Sequence, residues 1–175
     1  MKLAQMSKKK KITLVVALMA VLWVSWYTVQ VNSSTRVSRE LRRMQPGVVQ
    51  MLNDQGETFQ ITVRIADTPE LRKAGFTRNG VQTIEENILL FTYPADTLER
   101  HNVQRVKAPL DMAFFRADGS LIQINRTRVN ATTSYGPTGP NNRYRYVLVA
   151  PAGYFSRQGV SVRTDAQLLP DTIRR

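Results

Sequence analysis

Two hydrophobic periods follow one another along this chain. From Ile12 to Val29 apolar residues run without interruption by charge, Gly or Pro, in the order ITLVVALMAVLWVSWYTV. Beyond Val48 the pattern changes to short segments of period two. As a helix, eighteen residues span roughly 27 Å, close to the hydrocarbon thickness of a bilayer. Trp23, Trp26 and Tyr27 crowd the far end of the run, where amphipathic rings favour the headgroup level. The segment therefore reads as an uncleaved transmembrane signal-anchor over residues 12–32. A cleaved signal peptide is the competing reading, but such signals have a shorter apolar core and a small-residue exit. Here the exit is bulky, with Val31-Asn32-Ser33 as a poor cleavage candidate.

In the second part, Phe59, Ile61, Val63 and Ile65 alternate with Gln60, Thr62, Arg64 and Ala66, as expected of a strand with one buried face. Val48–Leu52 precedes it across Asn53-Asp54-Gln55-Gly56, a hairpin-type connection. Thr68 as N-cap, Pro69 at the first helical position and Gly75 at the end predict one short helix. Further strands are expected at 87–93, 102–106, 110–117, 120–129, 144–150 and 160–164, with Asp118-Gly119 as a hairpin turn. Residues 130–143, rich in Asn, Gly, Pro and Thr, read as a long loop. Eight short strands and one short helix in about 130 residues imply one mainly β domain, a single sandwich or barrel. The expected organisation is a basic cytoplasmic tail (1–11), the anchor (12–32), a juxtamembrane linker (33–47) and an extracytoplasmic β domain (48–175). Within the linker, Val37, Leu41 and Met44 allow a short helix, read as solvated rather than lipid-bound.

Charge sharpens the topology and removes one function class. Of the formal +12, residues 1–43 carry nine Lys and Arg against one Glu, leaving sixteen basic and twelve acidic residues in 44–175. Most of the excess thus flanks the apolar run. Lys2 and Lys8–Lys11 on its N-terminal side favour an N-terminus in the cytoplasm and a periplasmic or extracellular domain, a single-pass protein of the cytoplasmic membrane. The outer Arg36, Arg39, Arg42 and Arg43 oppose that bias. The folded part is only mildly basic and has no nucleic-acid motif, so no nucleic-acid partner is expected.

Candidate chemistry is sparse. One histidine, His101, and no cysteine offer no paired ligands, so neither metal nor cofactor is expected. His101 as a lone general base is weighed against an ordinary loop histidine, which is the commoner case. Asp111, after Pro109-Leu110 and before Met112–Phe115, reads either as a rim carboxylate facing a ligand with Arg78 or Arg105, or as an acceptor that pins a strand entrance; the second is preferred. A glycosidase would need a second placed carboxylate, and nothing fixes Glu85 or Glu86 relative to Asp111. Arg126/Arg128 and Arg143/Arg145 read as solvated strand faces.

The order of landmarks carries a resemblance. Thr68-Pro69-Glu70-Leu71-Arg72, Gly75-Phe76-Thr77-Arg78, Ile88–Phe91, Ala108–Phe115, Asp118-Gly119, Ile122-Gln123-Ile124 and Pro151-Ala152-Gly153 follow in that order. Over residues 56–170 the chain resembles the bacterial and archaeal domain-of-unknown-function family 192, small and often exported proteins. The resemblance implies a jelly-roll-like β-sandwich and implies no activity. Family members carry a Trp-Met-Lys-Asn-Thr-like segment before Pro-Leu-Asp; here it reads Asn102-Val103-Gln104-Arg105-Val106. The expected function is a non-enzymatic, membrane-anchored extracytoplasmic binding domain for an envelope protein or acidic ligand, with Arg78, Arg105 and Asp111 as ligand residues. The alternative is an envelope carbohydrate hydrolase using carboxylates that include Asp111.

Overall fold

The computed structural model describes residues 8–129, 131–162 and 166–174. The chain opens with helix α1, Lys8–Ser34, and continues through α2 (Arg39–Arg43), β1 (Gln45–Leu52) and β2 (Thr58–Ala66). Helices α3 (Pro69–Ala74) and α4 (Val81–Glu85) lead to β3 (Leu89–Thr97), β4 (His101–Asn102), β5 (Leu110–Phe115) and β6 (Leu121–Arg126). Strand β7 (Ser134–Tyr135), β8 (Tyr144–Pro151), α5 (Tyr154–Arg157) and β9 (Gln167–Arg174) complete it. Within α1, Val15–Ser34 is long and apolar enough to cross a membrane, none of it is buried, and a signal sequence has the same character. Residues 1–7 of the expected cytoplasmic tail lie outside the described residues.

The fold is mainly β, as the patterning predicts. Seven strands form one mixed sheet in the order β6-β5-β8-β3-β2-β1-β9, and β4 with β7 forms a small second sheet. All neighbours in the large sheet are antiparallel except β2 and β3, which run parallel because α3 and α4 form the crossover between them. The sheet curls until its ends meet: Ser120, after β5, bridges Gln167 of β9, and Leu168 N donates to Gly119 O at 2.9 Å. Gly119 has φ 85, and a Cβ there would lie 1.9 Å from Leu168 O, so only glycine permits this closure.

Curling gives the sheet two apolar sides. Val49, Met51, Ile61, Val63 and Ile65 pack inside against Leu90, Phe115, Leu148 and Leu168. On the other side, Leu89, Phe91, Met112, Phe114 and Val149 lie under Leu71, Phe76 and Ile84 of the crossover. Strand β5, sandwiched between the two, is buried at every residue. The predicted helix is α3: Thr68 Oγ1 accepts from Leu71 N, and Gly75 closes it.

Local expectations fail where long-range packing decides. The short helix expected within the linker is present as α2, capped by Ser38, but strand β1 begins at Gln45 rather than Val48. Leu41 and Met44 are 2% and 1% exposed and belong to the core beneath α3, so they face neither solvent nor lipid. Of the strand expected at 102–106, only Asn102 is in a strand, at the end of the two-residue β4, and residues 103–106 form a turn. Of the strand expected at 160–164, residues 160–162 are irregular, and Arg163 and Thr164 lie outside the described residues. The edge strand is β9 instead. The loop expected at 130–143 holds β7, and Asn130 lies outside the described residues.

Candidate functional site

The three residues expected to bind a ligand fall at two places. Asp111 is the second residue of β5 and is 1% exposed. Its Oδ1 accepts from Arg126 Nε at 2.8 Å, and its Oδ2 accepts from Arg126 Nη2 at 3.1 Å and from Gly153 N at 2.7 Å. Arg126 sits directly opposite on β6, where the bidentate bonds hold its guanidinium above its usual pKa. The carboxylate therefore ties β5, β6 and the start of α5 together. This is the strand-pinning role, and its cation is Arg126; Arg78 and Arg105, expected beside it, lie elsewhere.

Those two arginines meet in a groove of about 280 Å³ lined by Glu40, Glu70, Lys73, Thr77, Arg78 and Arg105. Both have φ 66, and they are the two non-glycine residues with positive φ among the described residues. Arg105 is the third residue of a turn closed by Val106 N donating to Val103 O at 3.2 Å. Positive φ at that position alone is the type II pattern, which ordinarily takes glycine. Asn102 Oδ1 accepts from Gln104 N at 2.7 Å and sets the turn's entry. Arg78 precedes Asn79, which is fully buried and accepts from Ser38 N at 2.8 Å through its Oδ1. The groove therefore draws one wall from α2, one from α3 and its following turn, and one from the 103–106 turn. Glu70 lies below its usual pKa, held there first by its backbone hydrogen bond and then by the Thr68 hydroxyl. Around Arg78 the surface continues into a second, wider groove lined by Arg36, Ser38, Arg39, Glu40 and Arg42.

Beneath α3 lies a buried polar cluster that no local pattern announces. His101, 8% exposed, has its Nε2 2.9 Å from Tyr144 Oη and 3.4 Å from Tyr93 Oη. Tyr144 Oη donates to Glu99 O at 2.6 Å. Its proton is thereby committed, so His101 Nε2 carries the imidazole proton and donates to Tyr144. Burial, then the nearby Arg72 charge, lowers His101 to about 4. Burial pushes Tyr93 up to about 12 and raises Tyr144 as well. Arg72 stacks over the Tyr93 ring at 4.3 Å and donates through Nη1 to Asp67 O and Thr92 O, at 2.7 and 2.9 Å. Its Nε is buried and has no hydrogen-bond partner among the described residues. Arg72 and His101 border a cavity of about 30 Å³ whose walls include Lys73, Phe76, Val103 and Met112, room for about one water molecule. Near neutral pH the cluster offers one fixed cation, a neutral imidazole and two neutral phenols.

With that geometry in place, comparison with known proteins settles the lineage. Residues 50–167 match the domain-of-unknown-function family 192, described as "Uncharacterized ACR". The chain belongs to this family. No curated protein matches it. Among solved structures it is similar to a protein described as a candidate transcription regulator from Sinorhizobium meliloti 1021, with 24% identity and a TM-score of 0.63, covering 76% of this chain and 95% of that one. It is also similar to a protein of unknown function from Novosphingobium aromaticivorans DSM 12444, with 16% identity and a TM-score of 0.57, covering 71% and 84%. At these identities the likeness establishes the shared fold.

The family match spans Asp111, Arg78, Arg105 and the histidine–tyrosine cluster, and stops short of α1 and α2. The second groove, which draws Arg36, Arg39 and Arg42 from the α1–α2 junction, is thus largely outside the family segment. Among the described residues no group of three metal-ligating side chains comes together.

Proposed function

We propose that this family 192 protein is a membrane-anchored extracytoplasmic binding domain that presents a rigid cationic groove to an acidic group on an envelope partner. The observation that carries the reading is the convergence of Arg78 and Arg105, both held in left-handed backbone conformations, on one groove beside Lys73. Backbone strain of this kind is kept where surrounding structure over-determines it, and it concentrates at ligand clamps. Neither guanidinium makes a hydrogen bond or ion pair among the described residues. Both are therefore available to a carboxylate or phosphate, which guanidinium binds in bidentate fashion. Membrane anchoring rests on the apolar α1 and the lysine run before it. The hydrolase alternative draws little support from Asp111, because both of its oxygens are committed to Arg126 and Gly153.

Two measurements test the proposal. Protease added to spheroplasts should digest residues 44–175 and leave a membrane-bound stub; a protected domain overturns the orientation. In a pull-down of the full chain from solubilised membranes, an Arg78→Ala/Arg105→Ala variant with unchanged melting temperature should lose the partner that the native chain retains. Equal recovery by both removes the groove from the binding face.

A further inference from the structure

A second cationic groove sits where the apolar helix ends. Arg36, Arg39, Arg42 and Arg78, with Glu40 as the sole carboxylate, line a polar space of about 510 Å³. None of these arginine side chains makes a hydrogen bond or ion pair among the described residues. The twenty residues Val15–Ser34, apolar enough in composition to cross a membrane, reach roughly 30 Å, so a membrane-spanning α1 ends at the outer interface. Arg36 lies two residues further, within about 7 Å of extended chain, at headgroup depth.

The groove is fixed relative to that exit. Gly80 N donates to Arg36 O at 2.7 Å, and a Cβ on Gly80 would lie 1.9 Å from Ser34 O. Asn79 bonds both the backbone and the hydroxyl of Ser38. The domain thus grips the chain directly at the helix end, with no slack in which the arginines could swing away from the interface. Their sign also runs against topology: basic residues on the translocated flank oppose the positive-inside bias. A bound anion would account for keeping them.

We propose that this groove binds the phosphate of an anionic phospholipid in the outer leaflet of the membrane that α1 spans, seating the domain against the bilayer. The proposal rests on the membrane placement above, and not on the Arg105 groove. Three or four guanidiniums against one carboxylate suit a phosphodiester, and each such cation adds several-fold in affinity for an anionic lipid surface. A zwitterionic lipid carries an ammonium that the same cations repel.

Native mass spectrometry of the detergent-solubilised full chain tests this, with phosphatidylglycerol, phosphatidylcholine and inorganic phosphate as probes. Phosphatidylglycerol should remain bound and phosphatidylcholine should not. An Arg36→Gln/Arg39→Gln/Arg42→Gln variant should weaken phosphatidylglycerol binding about a hundredfold. Glu40→Gln should strengthen it several-fold, a gain that misfolding cannot produce. Equal retention of the two lipids, or of phosphatidylglycerol by the native chain and the triple variant, overturns the proposal. So does inorganic phosphate competing at matched concentration, which would assign the groove to a soluble anion. The intact mass separates the two readings: a chain shortened by loss of residues 1–32 defeats the anchor itself, whereas a full-length chain without lipid defeats this inference alone. The triple variant keeps Lys73, Arg78 and Arg105, so its result leaves the acidic-ligand reading standing.

Discussion

Replacing Asp111 by Asn keeps the shape of a fully buried side chain and removes its charge. The native carboxylate serves three donors: Arg126 Nε, Arg126 Nη2 and Gly153 N. An amide has one acceptor oxygen, so whichever way it turns, its NH2 meets an N–H. The favourable orientation keeps oxygen on Gly153, whose N–H is part-buried at the start of α5, and sets NH2 against the guanidinium. Arg126 is 58% exposed and recovers water, but the carboxylate it serves is 2% exposed and depends on that cation in the native protein. What remains is a weaker acceptor for Gly153 and a donor–donor conflict, together about 2 kcal/mol. For a domain of this size that lowers the melting temperature by about 6–10 °C. Thermal unfolding followed by far-ultraviolet circular dichroism reads it directly. Arg126→Gln leaves that buried carboxylate with Gly153 N and at most one amide donor, and should lower the midpoint by a comparable amount. A melting temperature within about a degree of the native value for either variant would refute this account. A stable Asp111→Asn protein that has lost its partner would instead make Asp111 a ligand residue.

Arg105→Gly should raise stability by about 0.5 kcal/mol, since relief of the left-handed penalty slightly exceeds the added chain entropy, while Arg105→Ala keeps the strain and gains nothing; a Gly variant less stable than the Ala variant in thermal melts contradicts the strain assignment. His101 titrates near 4 when folded and near 6.5 when unfolded, so the unfolded chain binds the extra proton first. Stability contributed by the neutral imidazole is full above about 6.5 and declines as pH falls, by about 3 kcal/mol at pH 4. Denaturant midpoints against pH should show that slope in the native protein and lose it in His101→Gln; parallel profiles would argue against the buried neutral state. Gly80→Ala drives a methyl into Ser34 O, so amide exchange at residues 34–38 should accelerate while the β-sheet stays protected; unchanged exchange would mean that the helix end is not gripped there.

The parts of this fold legible in the sequence are those specified over a few residues. The alternation 59–65, the Thr68-Pro69 helix start and the Asp118-Gly119 turn each carry their own chemistry, and each is present. Strand β9 was illegible because Pro170 and Asp171 interrupt any alternation and its partner, β1, lies far away in sequence. It is held partly by a side chain, Thr172 Oγ1 accepting from Gln50 N where the ladder shifts register. That Asp111 accepts a backbone N–H at a strand entrance is readable in the sequence, but its cation is not. A bulge between Phe114 and Phe115 displaces the hairpin register by one residue, bringing Arg126 rather than Asn125 opposite Asp111. Charge alone marks Arg78 and Arg105 in the sequence; their shared groove depends on tertiary packing. The His101–Tyr93–Tyr144 cluster leaves no local trace, because its members come from three elements with no common spacing.

The pairing of β1 with β9 sets a schedule for biogenesis. Val48 lies opposite Arg174, so the first strand after the anchor waits for the last strand of the chain. In the topology we propose, β1 emerges from the export channel beside the bilayer while β9 is still being synthesised. The sheet can close at Gly119 only after the C-terminal residues have crossed. Until then the β1 edge is open, and Pro46, with no N–H to offer a foreign strand, sits near its start. In that proposed topology folding of this domain is coupled to completed export, and chains stalled before residue 167 should remain open to proteases.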